Sequence, residues 1–328
     1  MAELSEVMPS GRGLMIHHWD ADGICSAALL LRHRFRGYAN WTPTIGAFYL
    51  SREQLDYARQ FNEVVVVDMA LPEADVEALT EGCRVTVYDH HHQAPLRSVE
   101  HINPVAHGSD PDNYPSCTWV VKKSLGLPVT LPVVLGLVGD REKKLKESPA
   151  FWGVVQWYAA ESRLTFEELH GMVQLIDSCY KVGDRDAVIE APRLLADIEG
   201  PDAITGNMAW QRNMETFEGE LERILEAPPV ERESVLYLEL DTRFSVISTV
   251  TRRVAWETGR DTVVVNRGFF EEEDQVYSRS SRLDMQPMID SARERGFNAG
   301  GKKDVLGAIV PKADTDSFVK ELVEYMKK

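Results

Sequence analysis

The chain has 328 residues, 44% of them hydrophobic and 27% charged, which supplies a sizeable core and, at this length, two domains of ordinary size. Its formal net charge of −16 repels a nucleic-acid backbone at long range, so non-specific clamping of long duplexes is excluded and a small anionic substrate in a local basic pocket is not. No membrane-spanning apolar run, secretory leader or C-x-x-C pair is present; the four cysteines Cys25, Cys83, Cys117 and Cys179 are scattered, and a reduced cytoplasm is the expected setting.

The first 140 residues alternate strand-like and helix-like patterns. Gly13 to His18 reads as a strand, Ile24 to Arg36 as a helix, and Trp41 to Phe48 as extended chain. Ser51 to Gln60 opens with a capping box, Ser51 and Gln54. Glu63 to Asp68 holds four consecutive valines, the mark of a strand buried on both faces. Leu71 to Thr80 is a helix with Pro72 in its first turn, and Arg84 to Tyr88 is the next strand. This rhythm predicts an α/β fold with a parallel sheet, whose ligands sit at the carboxyl ends of the strands. From Ser148 to Pro229 the pattern is helical, with a second capping box at Thr165 and Glu168 and a long helix over Gly206 to Ala227. The β-α rhythm then resumes. Strands are expected over Ser234–Leu240, Thr262–Asn266 and Gln275–Ser281, and helices over Ser245–Gly259, Pro287–Arg295 and Asp314–Lys327. The expected organisation is a metal-binding domain over 1–150, a helical connector over 151–229 and a smaller α/β domain over 230–328.

Acids and imidazoles end the apolar elements. The first strand delivers His17, His18, Asp20 and Asp22. The valine strand ends in Asp68, and the strand RVTVY ends in Asp89, His90, His91 and His92. The apolar run LPVVLGLVGD, expected as one more β-element of this set, ends in Asp140. Taken singly, Asp20 and Asp22 would be helix caps and Asp140 a turn cap. Together, converging on one sheet edge, bare carboxylates at this density repel one another, and a pair of divalent cations resolves the repulsion. Oxygen ligands with a minority of imidazole suit manganese or magnesium better than zinc or copper. Three adjacent histidines cannot all face one site, and His92 is expected on the surface.

These motifs resemble the DHH phosphoesterase superfamily. The resemblance rests on Asp20-Ala21-Asp22-Gly23 followed by Ser26, on Asp68 after its valine strand, on Asp89-His90-His91, and on Gly139-Asp140, with Asn103-Pro104 and Ser116 in support. It implies two Mn2+ ions, with Mg2+ as the other candidate. Asp20 and Asp68 would hold one ion. Asp22, Asp68, His90 and Asp140 would hold the other, with Asp68 shared, His91 beside the phosphate and Asp89 orienting the histidines. Ile16 stands where several relatives carry a histidine, and His18 or His17 would substitute. The last third resembles the DHH-associated domain, through the strand Ser278-Arg279-Ser280-Ser281-Arg282 and a glycine-rich loop at Gly300-Gly301-Lys302, where Lys302 replaces a histidine. Those residues would contact the substrate.

The activity implied is hydrolysis of phosphodiester bonds in short single-stranded oligonucleotides or small nucleotides by a metal-activated water. The alternatives are an inorganic pyrophosphatase or polyphosphatase, for which Lys302, Lys303, Arg293 and Arg295 would be the basic cluster, and a catalytically inactive RecJ-like scaffold in a replication or repair complex. Oligomeric state is not legible in the sequence, which leaves a homodimer open.

Overall fold

The structure, a computed structural model, describes residues 13–327. Its first sheet is built from β1 (Gly13–His17), β2 (Ala39–Trp41), β3 (Glu63–Val67), β4 (Arg84–Tyr88) and β5 (Glu100–Ile102), with α1 (Ala21–His33), α2 (Arg52–Ala58) and α3 (Glu73–Thr80) between the first four strands. The strand order is β2-β1-β3-β4-β5 and every pairing is parallel. All five residues of β1 and all four valines of β3 are buried, as strands covered on both faces must be. In this order the chain reverses direction between β1 and β3, and the crevice at such a reversal opens beyond the carboxyl ends of the strands.

Helices α4 (Cys117–Leu125), α5 (Leu131–Arg141), α6 (Pro149–Ser162), α7 (Phe166–Lys181), α8 (Arg185–Ala196), α9 (Asp202–Thr205) and α10 (Met208–Leu225) follow. Both capping boxes form. Gln54 N–H donates to Ser51 Oγ at 3.3 Å and Ser51 N–H to Gln54 Oε1 at 2.9 Å; Glu168 N–H reaches Thr165 Oγ1 at 3.1 Å and Thr165 N–H reaches Glu168 Oε2 at 2.7 Å.

Two expectations fail here. The strand lies over Ala39–Trp41 and shares only Trp41 with the extended stretch expected over Trp41 to Phe48, because Pro43 has no N–H for a ladder and Gly46 turns the chain at φ 87°. The run before Asp140 is helix α5, not a β-element. Its residues Leu131 to Val138 are all buried, so no polar stripe betrays the helical period, and Pro132 in its first turn favours the helix.

By its contacts the chain divides into two units. One runs to Tyr180 and takes in Asp184–Met214; the other comprises Lys181–Gly183 and the chain from Glu215 onward. The division falls within α10, so α6, α8 and α9 group with the first sheet. The second unit contains β6 (Val230–Arg232), β7 (Val235–Leu240), α11 (Ile247–Thr258), β8 (Thr262–Asn266), β9 (Glu273–Arg279), α12 (Gln286–Glu294), β10 (Asn298–Lys302), β11 (Val305–Pro311) and α13 (Lys312–Met326). Its sheet runs β10-β11-β9-β8-β7-β6, antiparallel except at β7–β8. Val263, Val265, Val276, Leu306, Ala308 and Val310 point from one face into a core completed by Met288 and Ile289 of α12 and Phe318 and Leu322 of α13. The glycine-rich segment 298–302, expected as a loop, is strand β10. Among the described residues no helix is long and apolar enough to cross a membrane.

Candidate metal centre

The ladder carries three chemical groups to one level. His17, Val67 and Tyr88 are register partners at the ends of β1, β3 and β4, and backbone bonds continue one residue further. His18 N–H donates to Val67 O at 3.1 Å, Asp68 N–H to Tyr88 O at 2.8 Å and Asp89 N–H to Ile102 O at 3.2 Å. His18, Asp68 and Asp89 therefore stand side by side on adjacent strands. Asp68 has φ 59°, a left-handed conformation that costs an L-residue about 1–2 kcal/mol, although Asp tolerates it better than most.

Asp20 caps α1, accepting Gly23 N–H at 3.0 Å, and lies 2.9 Å from His18 Nδ1. Asp22, in the first turn of α1, is buried and bonded to a different helix: Cys117 N–H reaches its Oδ2 at 2.6 Å and Thr118 N–H its Oδ1 at 3.0 Å. The free amides and dipole at the start of α4 favour that negative charge. Asp140 arrives on the last turn of α5, whose approach depends on Gly136. A Cβ there would stand 2.3 Å from Thr118 Oγ1 and 2.4 Å from Asp22 Oδ1.

His90 joins the carboxylates. Its Nε2 lies 3.4 Å from Asp68 Oδ1, 3.9 Å from Asp22 Oδ2 and 4.0 Å from Asp140 Oδ1. Its Nδ1 lies 3.3 Å from the carbonyl of Tyr114, which fixes the proton on Nδ1 and turns the Nε2 lone pair toward the acids. Burial keeps this imidazole below its ordinary pKa and so neutral. His91 is the opposite case. Burial alone would lower it, but Asp89, whose Oδ1 is 2.7 Å from its Nδ1, holds it at about 9 with help from Asp140 and Asp20. Asp89 is held in turn by Gln93 Nε2 at 2.8 Å, and Asn103 Nδ2 donates to the His91 carbonyl at 2.9 Å. His92 is exposed, as expected.

Two overlapping groups have ligand atoms within 4.8 Å of one another, His18–Asp20–Asp68 and Asp68–His90–His91, and Asp68 belongs to both. Burial, together with Asp140 and Asp20, raises the Asp22 carboxyl to about 7. Asp68 is pushed well above its ordinary value by burial and by Asp22, Asp20, Asp89 and Asp140. No lysine or arginine is among the groups that shift these two acids. Both nitrogens of His18, Nε2 of His90 and Oδ1 of Asp68 are buried without a hydrogen-bond partner, the close His18–Asp20 approach being misaligned for one. Buried, crowded and unbonded lone pairs fit divalent cations. His18, not His17, faces Asp20 and Asp68. His17 Nδ1 turns back to the carbonyl of His18 at 2.7 Å, and burial lowers its pKa to about 4. Sequence reasoning missed the Tyr114 carbonyl, Gln93 and Gly136. Only Gly136 left a signal, as a residue without a side chain in an otherwise bulky buried helix.

No protein-family model matches the sequence and no curated protein does. Solved structures do. RecJ of Thermus thermophilus in complex with Mn2+ superposes with a TM-score of 0.67 at 20% identity, over 96% of this chain and 52% of that one. The chain thus spans about half the length of that exonuclease. The DHH domain of a member of a ribosomal-protein family gives 0.67 at 17% identity over 94% and 86% of the two chains. A pGpG-specific phosphodiesterase from Vibrio cholerae gives 0.50 at 13% identity over 96% and 98%. The fold is the DHH fold.

In this DHH fold the expected substrate contacts of the second unit have diverse surroundings. Arg282 pairs with the buried Asp261 and donates to the Met326 carbonyl at 3.1 Å, tying the start of β8 to the end of α13. Ser280 Oγ accepts the N–H groups of Arg282 and Leu283, each at 3.1 Å, and so shapes a turn. Ser278 is buried on the face that holds Val276. Arg279 pairs with Asp304 at 2.7 Å on the other face. Gly300 is half-buried, and Gly301 and Lys302 are exposed along β10. Gly301 is irreplaceable there, since a Cβ would stand 2.0 Å from Val305 O.

Proposed function

We propose that the chain is a metal-dependent phosphoesterase that hydrolyses phosphodiester bonds of short single-stranded oligonucleotides or small nucleotides. One observation carries this: two donor groups share Asp68, and no lysine or arginine is among the groups that shift Asp22 or Asp68. His18, Asp20 and Asp68 would hold one ion, and Asp22, Asp68, His90 and Asp140 the other. Two Mn2+ or Mg2+ ions would supply Lewis acidity toward the phosphoryl oxygens and an activated water for in-line attack. The protein's part is geometry and charge. The start of α4 keeps Asp22 in place, Tyr114 fixes the His90 tautomer, and Asp89 holds His91 as a donor to a non-bridging oxygen. The manganese-bound RecJ and the pGpG-specific phosphodiesterase share the fold, which supports both the metal and the substrate class.

Of the basic cluster of the pyrophosphatase reading, Arg295 is bonded to Glu321 at 3.0 Å and Ser317 at 3.1 Å and Arg293 to the Ala299 carbonyl at 2.9 Å, which leaves Lys302 and Lys303. The scaffold reading has to explain a complete set of metal-binding acids. The test is turnover with Mn2+ on linear dinucleotides, RNA and DNA oligomers, pyrophosphate and short polyphosphate. Hydrolysis of the nucleotides, lost in His90→Ala, is expected. Hydrolysis of pyrophosphate alone, or of nothing, sinks the proposal.

A further inference from the structure

The second unit exposes an aromatic side chain that its own core does not use. Trp256, near the end of α11, is 64% exposed. Two guanidinium groups neighbour its ring, with Arg252 Cζ 5.6 Å and Arg279 Cζ 5.4 Å from the centroid. Ser248, Arg252 and Trp256 recur at four-residue spacing and so form one stripe of α11. The stripe borders β9 on the face opposite the α12–α13 core: Ser248 Oγ is 3.5 Å from Tyr277 Oη, and Tyr277 and Arg279 alternate with the core-facing Val276 and Ser278.

Beyond Tyr277, whose ring lies against Gly307, the sheet carries few side chains. Tyr277 is the register partner of Gly307, and Gly307 of Gly300, so two strands present no side chain in that row. Both glycines are partly exposed, and Lys302 stands exposed on the neighbouring row with Arg279. The result is a strip with little side-chain bulk, crossed by Tyr277 and Val305 and flanked by a tryptophan, two arginines and a lysine. A nucleobase with its phosphate matches this set: its π-face stacks on indole, and its phosphodiester is neutralised by the cations beside it.

We propose that Trp256 is a base-stacking residue, and that it makes this chain select nucleotides over base-free phosphates. The inference deepens the phosphoesterase reading by naming what holds the base, and it rests on that reading for its substrate class. Arg279, paired with Asp304, and Arg252 both stand beside the indole, where they would neutralise the phosphate of a stacked nucleotide.

The test measures binding, not turnover, so it stays separate from the hydrolysis experiment. Isothermal titration in EDTA compares 5′-phosphorylated diadenylate with tripolyphosphate, for wild type, Trp256→Ala and Trp256→Phe. Wild type is expected to prefer diadenylate. Trp256→Ala should weaken diadenylate about 5- to 140-fold, the equivalent of about 1–3 kcal/mol per stacked base, leave tripolyphosphate unchanged, and be partly rescued by Phe. Equal diadenylate affinity in wild type and Trp256→Ala, or no preference for diadenylate over tripolyphosphate, overturns the assignment. Sedimentation of the same samples covers the other role for an exposed tryptophan. A dimer in wild type that is lost in Trp256→Ala, with diadenylate affinity unchanged, would make it a self-association contact instead.

Discussion

Four aspartates, two in each unit, are almost equally hidden from solvent and live in opposite surroundings. Asp22 and Asp68 of the first unit are each 2% exposed, and Asp261 and Asp274 of the second are 5% and 0% exposed. Asp261 meets Arg282, and Asp274 meets Arg267 at 2.9 Å. Asp22 and Asp68 meet other carboxylates and a neutral imidazole. A buried acid with an arginine is compensated and belongs to the architecture. A buried acid among acids is uncompensated in the protein alone, and folding must tolerate that cost until a cation arrives. The contrast separates structural from functional burial without reference to any relative.

The strongest way to break this contrast is Asp68→Asn, which keeps the left-handed backbone accessible and removes only the charge. Activity with Mn2+ should fall by more than the ~100-fold carried by outer partners of metal ligands. Thermal stability without metal should hold or rise. A metal-free variant that melts well below wild type would show that Asp68 is structural.

The second test uses pH. In the metal-free protein Asp22 titrates at about 7 against an ordinary 3.8, so between pH 4 and 7 the folded chain keeps a proton that the unfolded chain has lost. Stability from this group therefore falls as pH rises through that window, by at most about 4 kcal/mol at 1.36 kcal/mol per unit. His17 and His90, lowered by burial, act in the opposite sense. Denaturant melts of wild type against Asp22→Asn in EDTA isolate the term. Wild type should lose ground to the variant from pH 4 to 7, and added Mn2+ should restore it most at the upper end. A constant difference across the window would contradict the account.

A third test reverses the roles. Asp274→Asn should leave Mn2+-dependent turnover unchanged and cost about 1.5–3 kcal/mol in urea unfolding, because it weakens a charged bond to Arg267. Loss of turnover with unchanged stability would erase the distinction between the two pairs of acids. The smallest effect is expected from Gly136→Ala. The added methyl must push α5 away from Thr118 and Asp22, at about 1–3 kcal/mol of overpacking, and carry Asp140 with it. Weaker Mn2+ binding by titration, with the helix content unchanged by circular dichroism, is the expected readout.

Strands β1, β3 and β4 of the first sheet were legible in the sequence because strands covered on both faces write themselves as largely apolar runs, as in GLMIH, VVVV and VTVY, whereas β2 met its expected stretch only at Trp41 and β5 was not expected. The second sheet was less legible. Strands β10 and β11 include Gly300, Gly301 and Gly307, whose missing side chains erase the period-two pattern, and β6 is fully exposed. Of the candidate site, the residues at strand ends were readable as a set, since each follows its strand within five positions. Asp140 was readable as an acid but not as the end of a helix.

By itself the sequence determined which elements end in acids and imidazoles, and therefore which chemistry the chain can support, because strand and helix periods are local and short. Only the tertiary structure decided which of those groups are short of a partner. Whether Arg282 is spent on Asp261, whether Asp22 sits at the start of a helix 95 residues away, and whether His18 or His17 faces Asp68 depend on distances between elements remote in the chain. Charge compensation is a pairwise property of space, and no local pattern of residues records it.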